Sequence, residues 1–293
     1  MSALNKYSFN PAYAGLDFSL SANLMYRNQW EGLSGNPSDL HINAHIPYYL
    51  WSGALGGIIE RQSFGNFSQT SASGSYNFVQ SALGGLVSLG GRVGVTTLQL
   101  DGESIITPEG EYGSFVSHND PILLEAVDQG FGFKWDLGAY YYSKRLEAGV
   151  SISQLPQSKI NLERFSFDNS THATGFFQFN FDLVNEIELM QSILLKTDFN
   201  QVQTELSSIF RINGNIFGGI NLRGYNSQSM DAMAIIVGMK LGDHYTLSYS
   251  YDVGLSQLRR THEGTHEILL NYNLRKIIGT GQPPKIIYNP RYL

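Results

Sequence analysis

The sequence contains no cysteine, which excludes disulfide frameworks and thiolate metal sites and is compatible with many compartments. It is also short of charge: 15% of its 293 residues are Asp, Glu, Lys or Arg, where a soluble domain usually carries about 25%. The formal net charge of −6 leaves no basic excess for phosphates, so no nucleic-acid partner is expected. Long hydrophobic runs are missing too. The longest, Ala232 to Met239, falls far below the roughly 18 apolar residues of a membrane helix. The opening residues, MSALNKYSFNPAYAG, lack the charged, then apolar, then small-residue order of an export leader. An exported chain needs one, so the sequence is expected to begin inside the mature protein.

What is present is alternation. Between His244 and Arg275 two arms face each other across a polar loop. Tyr245, Leu247, Tyr249, Tyr251 and Val253 point one way and Thr246, Ser248, Ser250 and Asp252 the other, the period of two that marks a strand with unlike faces. Ile268, Leu270, Tyr272 and Leu274 repeat the pattern against Glu267, Asn271 and Asn273, with Leu269 the one apolar intruder on the polar face. Each arm runs about 9–11 residues, the length a tilted strand needs to cross a bilayer. Alternation of this kind, with 13% aromatics and no helix-length block, is the pattern of an outer-membrane barrel.

The rest of the chain follows suit. A first strand is predicted over Leu16 to Trp30, with Leu16, Phe18, Leu20, Ala22, Leu24 and Tyr26 towards lipid. Further strands are predicted at Asp39 to Ile46, Gly53 to Gln62, Thr70 to Gln80, Gly85 to Leu100, Phe131 to Tyr142 and Arg145 to Leu155. The series continues through His172 to Val184, Ile187 to Phe199, Thr204 to Asn213, Asn215 to Tyr225 and Met230 to Leu241. Asp101 to Gly130 and Gln157 to Thr171 read as long loops, the first with a short helix signalled by Asn119-Asp120-Pro121. The pairs Gly84-Gly85 and Gly90-Gly91 are not phosphate loops, since no lysine follows, and glycine suits places where barrel strands bend.

The expected fold is therefore all-β: one transmembrane antiparallel barrel of about 14 strands over residues 16–275, an even number as single-chain bacterial barrels require. Turns near Tyr49, Ala82, Lys144, Asn185, Gly214 and Gly242 are short while the alternate connections are mostly longer and more polar, which places both termini in the periplasm. Residues 1–15 are then a periplasmic segment and 276–293 a periplasmic tail. Two aromatic levels fit the membrane interfaces, Tyr26 and Trp30 at one, and Tyr48, Tyr49, Trp51, Tyr141, Tyr142 and Tyr245 at the other. A soluble β-sandwich also alternates, but strands this long and a charge content this low favour the lipid-embedded form.

Strand parity sends Arg27, His41, His45, Arg92, Lys134, Asp136, Lys196, Asp198, Arg211, Arg223, Lys240 and Asp252 into the lumen. Charge of either sign is costly against lipid, and mixed signs imply mutual pairing in a filled interior more than an ion-selective pore. His41 and His45 resemble a metal pair, yet four strand residues span about 13 Å, too far for one ion. His262 and His266 with Glu263 and Glu267 imitate a zinc-helix spacing, but in a loop and a strand. Ser256, His262 and Asp252 can be assembled on paper into a hydrolytic trio; such a trio arises by chance near a polar rim, and no enzyme, cofactor or metal is expected. A passive porin or hydrophobic-compound channel is the alternative from a different class.

Several stretches resemble the PorP/SprF family of outer-membrane proteins associated with the type IX secretion system of Bacteroidota. They are Asn10-Pro11-Ala-Tyr-Ala-Gly15, Tyr26-Arg27-Asn-Gln-Trp30, Tyr251-Asp252 through Leu258, Gly264 through His266-Glu267 to Tyr272, and the terminal Asn289-Pro290-Arg291-Tyr-Leu293. At that last site many relatives look like Cys-Pro-Arg-Phe, and Asn289 departs from them. The resemblance implies a non-enzymatic component or accessory of type IX secretion. Its partners would be a secreted adhesin or that adhesin's C-terminal domain, other secretion components in the outer membrane and periplasm, and the lipid bilayer. The contact is expected in Asp101 to Gly130, Gln157 to Thr171, Gln257 to Gly264 or the lumen mouth beneath them. The tail, kept extended by Pro283-Pro284, either docks on a periplasmic partner or folds back to plug its own barrel.

Overall fold

A computed structural model describes residues 1–48, 52–113, 115–120, 123, 125–155, 158–163, 166–184, 186–225, 229–255 and 257–278. Among them the wall begins with β1 (Ser21–Asn28), β2 (Ser38–Tyr48), β3 (Gly53–Phe64), β4 (Phe67–Ala82) and β5 (Gly85–Asp101). A small hairpin, β6 (Glu111–Tyr112) and β7 (Val116–Ser117), precedes β8 (Val127–Tyr142) and β9 (Leu146–Leu155). A second hairpin, β10 (Ser158–Asn161) and β11 (Ser166–Asn169), leads to β12 (His172–Asp182), β13 (Ile187–Thr197) and β14 (Val202–Ile212). The wall ends with β15 (Ile216–Tyr225), β16 (Ser229–Leu241), β17 (Tyr245–Gly254) and β18 (Thr265–Asn273). Fourteen of these strands close a barrel in the order β1-β18-β17-β16-β15-β14-β13-β12-β9-β8-β5-β4-β3-β2. Closure is made by β1 against β18, with Arg27 opposite Glu267 and Asn23 opposite Asn271. Since the strand number is even, the chain enters the wall at β1 and leaves it at β18 on the same side, the side of the short turns.

Alternation sets the two faces. On β8, Phe131, Phe133, Trp135 and Leu137 are exposed outside, while Asp128, Lys134, Asp136 and Tyr140 are buried inside. A lipid-facing residue of an isolated chain reads as exposed, so this outer layer is the hydrocarbon contact. No helix among the described residues is long and apolar enough to cross a membrane; the crossing is made by strands.

The inside is where expectation and structure part. Residues 1–15, expected to lie in the periplasm, are packed within the barrel as three 3-10 turns, Ser2–Leu4, Lys6–Ser8 and Pro11–Tyr13. The wall begins at Ser21 rather than Leu16, and Leu16, expected against lipid, is 1% exposed within the lumen. The cause is an inner wall that is not wholly polar. Inward-facing Leu86, Tyr140, Phe176 and Leu194 need cover, which Ala12 and Leu16 provide, with Phe9, Tyr13 and Phe18 at the margin. Tyr7 and Ala14 likewise cover Ala54 and Ile58, and Ala3 and Leu4 lie against Ile209, Phe217 and Ile236. The intruder Leu269 is a lumen residue at 2% exposure, beside Leu4 in the same lower chamber. Gly15, with φ of 70°, then turns the plug back towards the wall, in a conformation open to glycine at no steric cost.

Other expectations change with this one. Tyr142 turns inward to meet Phe18 rather than joining an interface belt, and Trp30 lines the lumen mouth. Tyr26 and Tyr245 do face outward, whereas Tyr49 and Trp51 lie outside the described residues. The loop after Asp101 carries the β6–β7 hairpin, and Pro121, Ile122 and Leu124 of the expected helix lie outside the described residues, as does Asn185 of the expected turn. The second loop holds β10–β11, whose Ile160 and Leu162 are buried on inward-facing Leu98 and Leu100, so this hairpin lines the inside of the upper rim. Gly90 has a steric reason of its own: a Cβ there would stand 2.7 Å from the Ala12 nitrogen, and one at Gly138 would overlap Asn10. These glycines are recesses for the plug. Gly90→Val and Gly138→Val should therefore eject the segment, making residues 1–20 cleavable by added protease while the barrel stays inserted; protection equal to the parent protein would refute this account.

Candidate functional site

The plug is held chiefly through its own backbone, which no intrasegment ladder satisfies. Asn77 on β4 donates its amide to the carbonyls of Ala12 (2.9 Å) and Ala14 (2.8 Å). Arg92 on β5 donates to the Ser8 carbonyl (3.1 Å) and to that of Tyr7, and its guanidinium lies over the Tyr7 ring at 4.9 Å. Ser151 on β9 donates to the Phe9 carbonyl at 2.7 Å. Within the plug, Asn10 accepts the Ala12 N–H at 2.9 Å and donates to the wall carbonyls of Ala139 (3.2 Å) and Val150 (3.1 Å). Pro11 at the first position of its turn has no N–H to satisfy. The Gly15 N–H donates to Nδ1 of His45 at 3.1 Å. The Asn10-to-Gly15 motif thus supplies one capping amide, one turn and one histidine contact to a fixed plug.

Charges stitch the same layer. Lys6 of the plug donates to Glu147 on β9 at 2.7 Å, and the Tyr140 hydroxyl donates to the same oxygen at 2.7 Å. Asp136 lies 3.4 Å from Arg92 and also accepts the Gln154 N–H at 3.0 Å, where the β8–β9 register shifts. Lys134 pairs with Glu60 at 2.7 Å, and His41 Nδ1 stands 3.2 Å from that carboxylate. Across the closing strands, Arg27 reaches Asp252 and Glu267, each at 3.0 Å, and Arg223 reaches the same Asp252 at 3.2 Å and Glu205 at 3.3 Å. This chain of charges joins β1, β18, β17, β15 and β14.

Above the plug, towards the long loops, two adjoining cavities of about 480 and 820 Å³ share Ser8, Phe9, His41, Gln62, Lys196 and Gln203 and form one vestibule with the plug as floor. Lys196 makes no ion pair among the described residues, and Asp198 is in the β13–β14 turn at the vestibule rim rather than on a strand. Its carboxylate accepts the N–H groups of Gln201 (2.7 Å) and Asn200 (3.0 Å), which hold its pKa below the usual value. Below the plug a smaller cavity of about 200 Å³ is bordered by Asp17, His45 and Arg211. Arg211 pairs with Glu188 at 3.3 Å near the short turns, and Lys240 occupies the same end of β16.

The remaining motif residues fasten the upper rim. His266 faces outward and sits 2.8 Å from Glu31 and 2.6 Å from the Tyr249 hydroxyl, and Tyr251 donates to the Glu263 carbonyl at 2.7 Å. The Glu31 N–H donates to the Gly264 carbonyl at 2.9 Å, and the Trp30 ring is 6.2 Å from that of His262. Pro290 and Arg291 lie outside the described residues. Sequence reasoning missed the acidic partners Glu60, Glu147 and Glu205 and the plug ligand Asn77. Parity alone carried the signal, because each sits on the polar face of a strand already identified. Arg27→Leu should lower barrel stability by about 3 kcal/mol or more, since Asp252 and Glu267 stay buried with a partner removed. Arg61→Leu, on the outer face near the upper end of β3, should not lower it and should raise it by at most about 1 kcal/mol; urea unfolding in lipid vesicles measures both.

Comparison with known proteins gives a family and a fold. Over residues 1–272 the chain matches the family described as type IX secretion system membrane protein PorP/SprF. No curated protein matches it. Among solved structures, the Acinetobacter baumannii outer membrane protein Omp33 aligns with a TM-score of 0.51 and 5% identity over 88% of this chain and 99% of that one. The Ralstonia pickettii toluene transporter TbuX aligns with a TM-score of 0.54 and 11% identity over 90% of this chain and 91% of that one. At these identities the likeness is one of fold, the outer-membrane barrel. The family match runs from the plug through the closing strand, and this outer-membrane β-barrel belongs to the PorP/SprF family of type IX secretion system membrane proteins.

Proposed function

We propose that this barrel binds and handles, or anchors, a secreted surface adhesin through its C-terminal domain, as a component or accessory of type IX secretion. One observation carries the reading: the lumen holds a vestibule on the side of the long loops with the chain's own N-terminal segment packed beneath it. A pocket backed in this way suits retention of a partner's segment, whereas passage of a solute needs a continuous path. The long connections after β5 and β9 carry exposed Ile106, Phe115 and Phe167, apolar side chains that a protein partner would cover. We place the short-turn end in the periplasm, where residues 276–278 and the tail beyond them would face other secretion components.

We read the site as non-catalytic. Asp252 is taken up by two arginines and is not free to orient His262, whose Nδ1 accepts the Gly264 N–H at 3.0 Å; Ser256 lies outside the described residues. The porin alternative meets the plug, which is packed between the upper and lower chambers.

Three measurements test this reading. Cysteines placed at Gly110 and at Asp168, the exposed neighbour of buried Asn169, should react with an impermeant maleimide on intact cells, and those at Lys144 and Gly242 should not; the reverse would invert the topology. Replacing residues 102–126 by a short turn should release the adhesin into the medium with the barrel still inserted, and undiminished retention would sink the proposed contact. In planar bilayers the intact protein should show no large steady current, whereas porin-sized conductance would favour the channel.

A further inference from the structure

Towards the strand ends the outer face carries polar residues such as Arg61 and His266, but at mid-strand we find one polar pair among the described residues. At mid-strand the outward positions are apolar or glycine around the ring, among them Leu24, Ile42, Ile59, Val93, Trp135 and Val150. On β13 and β14 they include Gln191 and Ser208. Leu194 of β13 and Glu205, Ser207 and Ile209 of β14 are buried in the lumen, so residues 191 and 208 face the other way. The two are directly opposite in register, and the Ser208 hydroxyl donates to Gln191 Oε1 at 2.9 Å. Gln191 lies near the middle of β13 (Ile187–Thr197, 11 residues), at hydrocarbon depth. Among the described residues nothing accepts from its Nε2. An amide with unmet donors is costly in hydrocarbon, and lipid tails offer no acceptor. Its cross-strand neighbours are Phe179 on β12 and, beyond Ser208, Ile220 on β15, an apolar surround for a polar centre.

We infer that the outer face of β12 to β15 docks a second copy of this chain about a twofold axis near Gln191. The patch is self-complementary. It carries free donors at Gln191 Nε2 and acceptors with spare lone pairs at Gln191 Oε1 and Ser208 Oγ. A twofold axis lays the donor of each copy on an acceptor of the other, as an isologous contact requires. Around it Phe177, Phe210 and Leu195, all exposed, interdigitate with their counterparts, and packing between such surfaces drives association within a bilayer.

The chain has no cysteine, so single cysteines report proximity. Ile193→Cys, on the same face of β13, should give a species of twice the monomer mass with a short bis-maleimide in native outer membranes. Ile42→Cys, across the ring on β2, should stay monomeric. Adding Gln191→Leu to the Ile193→Cys chain should lower the cross-linked fraction about fivefold, the scale of a single hydrogen bond. Heat-modifiability should be unchanged, because leucine suits a lipid-facing position and the barrel stays folded. Failure of Ile193→Cys to cross-link, equal cross-linking from Ile42→Cys, no effect of Gln191→Leu, or capture of a different protein in place of a copy would each overturn the inference.

Discussion

The interaction on which the structure depends is the hydrogen bonding of the N-terminal backbone by the inner wall. Fourteen strands enclose more space than wall side chains fill, yet fewer than the 16–18 strands at which porins leave an aqueous channel. A barrel of this size has to be plugged or wet. Here Asn77, Arg92 and Ser151 present donors to the carbonyls of Tyr7 through Ala14, and Gly90 and Gly138 withdraw their side chains where the segment passes. Donors and recesses belong to different strands, β4, β5, β8 and β9, so none has its use until all are assembled. Plug and wall are parts of one core.

The buried charges extend the same logic. A buried pair gains little over apolar residues of equal volume, but removing one partner is costly. Asp252, shared by Arg27 and Arg223, ties the closing strand β1 to β15 across the lumen, so a wrong closing register would strand several charges at once. Lys6 with Glu147 does the same for the plug. These groups specify the arrangement more than they stabilise it.

Much of this was legible because a strand has a period of two. Parity alone directed Arg92, Lys134, Asp136 and Asp252 inward, and all four are buried. It failed where period two does not apply. Residues 1–20 form short 3-10 turns, with no repeat to distinguish a plug from a loose terminus. Leu16 and Phe18 happen to continue the alternation of β1, so they were counted with the wall although the strand starts at Ser21. Tyr142 and Trp30 fit the pattern of interface anchors, as aromatic residues near strand ends often do, yet Phe18 and His262 draw them inward. Asp198 fell one residue beyond β13, where parity no longer determines direction. For the plug and the two aromatics the decisive partner is distant in sequence; for Asp198 it is the local turn.

The plug also bears on the chemistry of the upper chamber. Its ion pairs lie deep, on the floor and lower walls, whereas Lys196 and Asp198 near the rim have no ionic partner among the described residues. Lys196 nonetheless stands in the field of Glu205, and Asp198 in that of His172. Lys196 and Asp198 line the vestibule near its rim, and Ser8 and Phe9 of the plug lie beneath them. The wall's buried charge goes into fixing the plug, while the two charges without an ion-pair partner among the described residues, Lys196 and Asp198, stand at one mouth, so the two ends of the lumen differ in chemistry as well as in place.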